Sequence, residues 1–178
     1  GVHKTVNRHS SLHCCVCSCV LSCSAIVWDK TNLHREIHDM TEIRYVQAED
    51  KEFWYGLDKH LPEQEFDNKI RNQQGYILFE NKKPIGLLRY NLFWDNTPFC
   101  TMLVIDLGYR GKGYGKKLME HWETDMKSRG YGMLLTSTQV DEEAQHFYRK
   151  LGYKDCGGFV INIPKYEQPM ELFLIKSI

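Results

Sequence analysis

From Met40 onward, segments with the apolar pattern of β-strands are interspersed with segments that have the apolar pattern of amphipathic helices. In four segments apolar side chains recur every three or four residues, which is the period of an amphipathic helix. Seven other segments are short, rich in β-branched and aromatic residues, and bounded by turn-forming residues, as strands are. The predicted strands cover residues 43–46, 76–80, 84–94, 99–107, 131–140, 159–163 and 170–175, and the predicted helices cover residues 48–60, 63–72, 113–128 and 141–151.

The spacing of these segments predicts a mixed sheet. The second, third and fourth strands are separated only by the turns at residues 81–83 and 95–98, so we expect antiparallel neighbours. Later strands are connected through helices, which makes neighbouring or near strands parallel. The predicted fold class is α/β (α+β): a mixed central sheet of six to seven strands with about four helices, in the order β-α-α-β-β-β-α-β-α-β-β, forming one domain over residues 40–178.

A glycine-rich stretch, residues 105–118, joins the fourth predicted strand to the third predicted helix. A turn of this kind presents backbone N–H groups and the positive end of a helix dipole to an anion. A P-loop is excluded, because Gly115 and its lysine are followed by Lys117 where Ser or Thr is required. A Rossmann fingerprint is excluded as well, since the positions for its third glycine hold Lys116 and Leu118.

Composition narrows the class of protein further. The 178 residues suit one domain, and 42% are apolar, which is enough for a packed core. Lysine plus arginine equals aspartate plus glutamate at 23 each, so no net charge favours nucleic acid or a membrane surface. No apolar run reaches the roughly 18 residues of a spanning helix.

Residues 1–39 differ from the rest of the chain and show no helical or strand period. We expect a poorly ordered or non-native extension, with Met40 as the natural start. A signal peptide is an alternative, although serines interrupt the apolar stretch at 12–27. Zinc binding is another, although the spacing lacks paired CxxC motifs. Its candidate ligands are Cys14, Cys15, Cys17, Cys19, Cys23, His9 and His13. Cysteines clustered in this way do not form a disulfide framework, so we expect a reduced, cytoplasmic protein.

The spacing Arg110-x-x-Gly113-x-Gly115 resembles the acyl-CoA signature of the GCN5-related N-acetyltransferase (GNAT) superfamily, Gln/Arg-x-x-Gly-x-Gly/Ala. The order of predicted elements also resembles the GNAT fold from Met40 to the C-terminus. The resemblance implies that acetyl-CoA is a co-substrate and that no metal is needed. It also implies that the pantetheine arm pairs with the splayed strand before the turn, and that the Ile105 amide polarises the thioester carbonyl. The implied cofactor-binding residues are Leu103, Val104, Ile105, Arg110, Gly111, Lys112, Gly113, Tyr114, Gly115, Lys116 and Asp141.

A second match lies in residues 141–153, which resemble the family pattern Asn-x-x-Ala-x-x-x-Tyr-x-Lys-x-Gly-Phe/Tyr. By this resemblance Tyr148 is the general acid that protonates the leaving CoA thiolate. A phenol can do this if the proton moves as charge develops on sulfur. The family's asparagine is Asp141 here. An aspartate can cap a helix, as we expect of Asp141, but it cannot donate as an amide does, which weakens the implied cofactor contact.

The general base cannot be read from the sequence. Asp106, at the end of a strand, and Asp95, in a turn, are candidates, although each also suits a turn-capping carboxylate. The aromatic residues that could line the acceptor pocket, or pack in the core, are Phe53, Trp54, Phe93 and Trp94.

The function predicted from these features is N-acetylation. An acceptor's primary amine attacks acetyl-CoA directly in a ternary complex, and the acceptor is a small molecule or peptide that the sequence does not identify. The alternative is a non-catalytic acyl-CoA-binding regulatory module, against which Tyr148 argues. A Cys/His acyl hydrolase is a less well supported function, because the sequence places no activating His near Cys100 or Cys156. We expect a monomer or homodimer that binds neither nucleic acid nor membrane.

Overall fold

A computed structural model describes residues Met40–Ile178. In this part of the chain seven strands and four α-helices alternate in the predicted order, which confirms the fold class. The strands are β1 (Thr41–Tyr45), β2 (Gly75–Glu80), β3 (Lys83–Phe93), β4 (Thr97–Ile105), β5 (Met133–Gln139), β6 (Lys154–Phe159) and β7 (Glu171–Ser177). The helices are α1 (Lys51–Leu57), α2 (Glu63–Arg71), α3 (Tyr114–Ser128) and α4 (Ala144–Lys150), and short 3-10 turns cover Ala48–Asp50 and Leu107–Tyr109.

The seven strands form one mixed sheet in the order β1-β2-β3-β4-β5-β7-β6. The first four are antiparallel neighbours, as the short turns predict. Asn81 and Lys82 both adopt positive φ, at 49° and 66°, as the two-residue turn of a hairpin requires. Strands β4 and β5 are parallel, so the chain needs a crossover between them, and α3 provides it.

Helices cover the two faces of the sheet unequally. Leu118 and Trp122 of α3 pack with Tyr148 of α4 in the larger core, on one face. Trp54 of α1 and Phe66 of α2 build a smaller core on the other face, against β2 and β3. Strand residues alternate between these cores, which is why β2 and β3 are apolar at almost every position.

Asp125 attaches helix α3 to the first two strands of the sheet. The hydroxyls of Tyr45 and Tyr76 donate to its carboxylate at 2.8 and 2.6 Å, and Arg129 lies 3.1 Å from it. These contacts tie the C-terminal half of α3 to β1 and β2. The N-terminal end of the helix is thereby held at the end of β4.

Two of the predicted boundaries that are wrong have a clear physical reason. The first helix ends at Leu57 rather than at residue 60, because the fully buried Asp58 leaves the helix to accept from Arg89 Nε at 2.6 Å. The sixth strand spans Lys154–Phe159 rather than residues 159–163. It is an edge strand exposed along its whole length, so it carries no apolar alternation to reveal it.

Residues 1–39 lie outside the described part of the chain, and with them the predicted extension, signal peptide and zinc alternatives. Among the described residues, no helix combines the length and the apolar character that crossing a membrane requires. No group of three or more His, Cys, Asp or Glu in this part of the chain could hold a metal ion.

The packing of α3 can be tested with two leucines. Leu118 is 0% exposed in the larger core, whereas Leu107 is 77% exposed in the turn before the helix. Leu118→Ala leaves a cavity and should lower the free energy of unfolding by about 2–5 kcal/mol. Leu107→Ala should change it by less than about 0.5 kcal/mol. Urea denaturation of both variants measures the difference, and equal stability of the two would contradict this packing.

Candidate functional site

The parallel strands β4 and β5 touch over only a short length. Their backbones pair at Phe99 with Leu135 and at Cys100 with Thr136, and no further. Beyond that point β5 continues to pair with β7 and β4 continues to pair with β3, so the two strands diverge. The sheet therefore contains a V-shaped gap that opens toward the C-terminal ends of β4 and β5.

A bulge in β4 coincides with the start of the gap. Arg89 and Tyr90 of β3 pair with Met102 and Cys100, which leaves Thr101 as the extra residue. Past the bulge the strand is regular, and the N–H of Asp106 bonds to β3. Because the backbone groups of a strand point to alternate sides, those of Leu103 and Ile105 face the gap.

A tight turn follows β4. Asp106 begins it by accepting a hydrogen bond from the Gly108 N–H at 3.1 Å. Gly111 and Gly113 then adopt positive φ, at 75° and 86°, a conformation that costs any residue with a Cβ. These two glycines turn the chain so that α3 starts beside the end of β4.

The start of α3 presents free donors. The first hydrogen bond within the helix runs from the Lys117 N–H to Gly113, at 3.0 Å. The N–H groups of residues 114–116 precede it and have no acceptor in the helix. No side chain caps this end, and the first turn contains no acidic residue. The positive end of the helix dipole is thus open to an anion.

These backbone groups surround a groove of about 660 Å³, here called the turn groove. It contains most of the predicted cofactor residues: Leu103, Val104, Ile105, Arg110, Gly111, Gly113, Tyr114, Gly115 and Lys116. Two predicted residues are not in its lining. Lys112 instead lies over the Tyr109 ring at 5.2 Å, and Asp141 lies exposed in the turn after β5.

The side chains of the turn have structural partners of their own. Arg110 folds back so that its Nε donates to the Ile105 carbonyl at 2.8 Å. Tyr114 reaches across to the carboxylate of Glu80 on β2. Because Arg110 and Tyr114 are already paired, the backbone N–H groups are the free donors of the turn groove. Its positive character comes from free N–H groups together with Lys116 and Lys150 at its rim.

Residues of α4 complete the turn groove, and the sequence did not identify them as site residues. Phe147, Lys150 and Leu151 line it, as does Tyr109 of the turn. A Cβ on Gly115 would meet the Phe147 ring at 3.5 Å, an ordinary van der Waals distance, so the start of α3 lies directly beside α4. The sequence feature that could have identified them is the apolar face of the helix predicted for residues 141–151, on which Phe147 and Leu151 lie four residues apart.

A second groove, about 360 Å³ and here called the gap groove, occupies the space between the diverging strands. Leu103 lines both grooves, so the two grooves are adjacent. Tyr148 lines the gap groove from α4, and Glu142 and Glu171 lie at its wall. The structure thus brings Tyr148 next to the strand predicted to bind the thioester.

Tyr148 is only 7% exposed. Burial raises the pKa of its phenol, to which the nearby Cys100 thiol adds, while a hydrogen bond to Thr136 acts in the opposite direction. A raised pKa keeps the hydroxyl protonated at neutral and mildly alkaline pH. Tyr148 can therefore act as a proton donor inside the gap.

Other candidate groups are placed away from this chemistry. Asp106 caps the turn, and Asp95 lies in the exposed β3–β4 turn. Burial raises the pKa of the Cys100 thiol to about 12, so this thiol is no nucleophile at neutral pH. His121 packs edge-on against Tyr76 and lines neither groove. These positions argue against a Cys/His hydrolase.

The predicted helix cap at Asp141 is wrong. Helix α4 begins at Ala144 with Glu143 at its N-cap position, and no side chain caps it. Thr138 instead bonds to Glu142, which closes the turn after β5. The chain leaves β5 through this turn before it can start a helix, so Asp141 lies too early to reach the first helical N–H groups.

The four aromatic candidates for the acceptor pocket have different environments. Trp54 is fully buried in the smaller core, and Phe53 packs against that core. The rings of Phe93 and Trp94 instead lie tilted against each other, with centroids 4.5 Å apart, in an open apolar groove beside β5, β7 and β6. Of the four residues, these two line a groove that a ligand could enter.

Comparison with known proteins agrees with this geometry. The model of the acetyltransferase (GNAT) family matches residues 36–153. Streptothricin acetyltransferase from Streptomyces lavendulae is 45% identical over 65 residues, which cover 36% of this chain and 34% of that protein. The match thus spans about a third of that relative's length. An uncharacterized acetyltransferase of Streptococcus pyogenes is 26% identical over 113 residues, covering 57% of this chain and 76% of that protein.

Solved structures share the fold at low sequence identity. The ribosomal-protein-S18-alanine N-acetyltransferase of Escherichia coli superposes with a TM-score of 0.67 at 18% identity, covering 78% of this chain and 94% of that one. A Bacillus anthracis protein solved in complex with acetyl coenzyme A gives 0.66 at 17%, covering 78% and 100%. The family match over most of the chain confirms the resemblance found in its glycine turn and in α4. The chain belongs to the acetyltransferase (GNAT) family.

Proposed function

We propose that this protein transfers the acetyl group of acetyl-CoA to a primary amine. The observation that carries the proposal is the adjacency of the two grooves: the turn groove, with its free backbone donors, and the gap groove, which contains the buried phenol of Tyr148, share Leu103 in their linings. A phosphate-bearing thioester and an amine can meet in such a site.

Acetyl-CoA would lie along the diverging edge of β4. Its pyrophosphate would accept hydrogen bonds from the free N–H groups of residues 114–116, and Lys116 and Lys150 would add charge at the rim. Its pantetheine arm would pair with the backbone of Leu103, as a further strand would, while the Ile105 carbonyl remains paired with Arg110. The thioester then enters the gap groove, where the Ile105 N–H can polarise its carbonyl oxygen.

The reaction we propose is a direct transfer. The amine nitrogen attacks the thioester carbonyl, a C–N bond forms and the C–S bond breaks. Tyr148 gives its proton to the departing thiolate, the nitrogen of the neutral amine loses one proton to solvent, and the Tyr148 phenolate then regains a proton from solvent. Direct attack requires the amine and the thioester to be bound together, so the reaction passes through a ternary complex. The free Cys100 and Cys156 fit a reducing, cytoplasmic setting, which we retain as part of the proposal.

The direct test is thiol release from acetyl-CoA by the full chain with a panel of polyamines, aminoglycosides, amino acids and peptides. Acceptor-dependent release, with mass spectrometry of the acetylated product, is expected. Tight acetyl-CoA binding without release for any acceptor would instead indicate a non-catalytic acyl-CoA-binding module.

The glycine turn gives a prediction with a matched control. Gly113→Ala should weaken acetyl-CoA binding by at least about tenfold, because a Cβ at φ 86° displaces the donors at the start of α3. Gly130 has φ 87° at the other end of the same helix. Gly130→Ala should therefore carry a similar backbone strain of about 1–2 kcal/mol without loss of affinity. Calorimetry measures both, and equal affinities would remove the turn from the binding site.

Tyr148 gives a prediction for turnover. Tyr148→Phe should lower kcat by about 10²–10⁴-fold, since it removes the general acid, while the affinity for acetyl-CoA changes little. Tyr153 is also buried but lies outside both grooves, so Tyr153→Phe is the control and should keep kcat.

The same residue determines the pH dependence. The raised pKa of Tyr148 means that its acidic form persists through alkaline pH, so kcat of the unmodified protein should not fall up to about pH 9.5. A fall of kcat between neutral pH and that value, absent in Tyr148→Phe, would contradict the assigned pKa direction.

A further inference from the structure

The gap groove is reached from both faces of the sheet. Tyr148 and Cys100 belong to the larger core, on the face covered by α3 and α4. On β7 the buried Leu172 and Leu174 point toward that same core. Because strand side chains alternate, Glu171 and Phe173 project from the opposite face. Tyr148 and Glu171 nevertheless line one groove, since the strands between them have separated.

The face that carries Glu171 is open on one half. Helices α1 and α2 cover the half formed by β2 and β3. Among the described residues no helix packs on this face over β5, β7 and β6. A row of phenylalanines crosses that half, here called the aromatic row. Phe93 lies 5.9 Å from Phe99, Phe99 lies 5.7 Å from Phe173, and Phe173 lies 5.6 Å from Phe159, measured between ring centroids.

Glu171 lies where the aromatic row meets the gap groove. It is two residues before Phe173 on the same face of β7, and it is half-buried. Its carboxylate makes no hydrogen bond or ion pair with other described residues, whereas Glu142, the other acid of the groove, is engaged by Thr138. Glu171 therefore offers a carboxylate for a cation at the end of an apolar surface.

We propose that Glu171 and the aromatic row together select the acceptor, which is a primary amine carried by an apolar body about the size of an aromatic ring. The ammonium binds Glu171 at the edge of the gap, on the face opposite Tyr148. The apolar body rests on Phe99 and Phe173. The inference rests on the proposed acetyl transfer and adds the class of its acceptor. The ammonium first loses a proton to solvent; the neutral nitrogen then attacks the thioester carbonyl from one face while Tyr148 protonates the departing sulfur from the other.

Two observations favour an amine with an aromatic body: the distribution of charge in the site and the position of the aromatic row beside it. The cofactor end of the site is basic, and the acceptor end carries Glu142 and Glu171. The basic end of the site therefore suits the anionic cofactor, and the acidic end suits a cationic acceptor. The aromatic row ends beside the gap groove, since Glu171 lines that groove and lies two residues before Phe173 on the same face of β7.

The test compares three amines with the full chain at saturating acetyl-CoA, with thiol release as the readout. 2-Phenylethylamine carries the ammonium and an aromatic body. Ethylamine carries only the ammonium, and phenylalanine adds a carboxylate that Glu171 repels. We expect kcat/KM for 2-phenylethylamine to exceed that for each of the other two by at least about tenfold, because only it satisfies both contacts.

Three variants test whether Glu171 and Phe173 are responsible for that preference. Glu171→Gln should raise KM for 2-phenylethylamine by at least about tenfold and reduce the discrimination against phenylalanine. Phe173→Leu, and more strongly Phe173→Ala, should reduce the ratio of 2-phenylethylamine to ethylamine toward one. The control is Glu42→Gln, an exposed strand carboxylate at the opposite edge of the sheet, which should change neither ratio.

The outcomes separate this inference from the proposed function. Release with all three amines at equal kcat/KM, or an unchanged KM in Glu171→Gln, would overturn the acceptor class while leaving acetyl transfer intact. No release with any amine, despite acetyl-CoA binding, would overturn the proposed function itself. Sedimentation that shows a dimer dissociated by Phe173→Ala would assign the aromatic row to a second copy of the chain instead.

Discussion

Parallel strands in a sheet normally remain paired along their length, and here β4 and β5 do so for only two residue pairs. Thr101 is the cause on the β4 side, because the bulge at this residue bends the strand away. The bulge is held by Arg89, whose Nη1 donates to Thr101 Oγ1 at 2.9 Å while its Nε binds the fully buried Asp58. Removing Asp58 would leave a guanidinium desolvated and unpaired, so the ion pair fixes the place where the sheet opens.

That opening leaves backbone groups of β4 without partners in the sheet. An exposed strand edge of this kind accepts another extended chain, and the polar arm of a thioester cofactor is one. The same opening lets two sets of side chains meet that an intact sheet would separate. Tyr148 arrives from the helix-covered face and Glu171 from the open face. A reaction that needs an acid on one side of a planar carbonyl centre and a nucleophile on the other is suited by this arrangement.

The parts of the site that could be predicted from the sequence are those that backbone geometry imposes. Gly113 is needed for a positive φ at the start of α3, so the glycine spacing predicted the turn that forms the candidate anion site. Tyr148 was identified because it lies in a short local motif. The missed features depend on partners distant in sequence or on exposure. Asp58 ends α1 early through a contact with Arg89, and β6 carries no alternation because both its faces are exposed.

This difference explains why the sequence predicts the cofactor but does not predict the acceptor. In the proposed site the cofactor would be bound by main-chain N–H groups, which restrict the sequence to glycines at fixed spacing. The proposed acceptor surface combines side chains of the β3–β4 hairpin with side chains of β6 and β7, which lie more than 50 residues later in the chain. Those side chains face an open half of the sheet, so exchanging them costs little core packing. The physical constraint on the acceptor surface is therefore weak, and one rigid cofactor site can serve surfaces that select different amines.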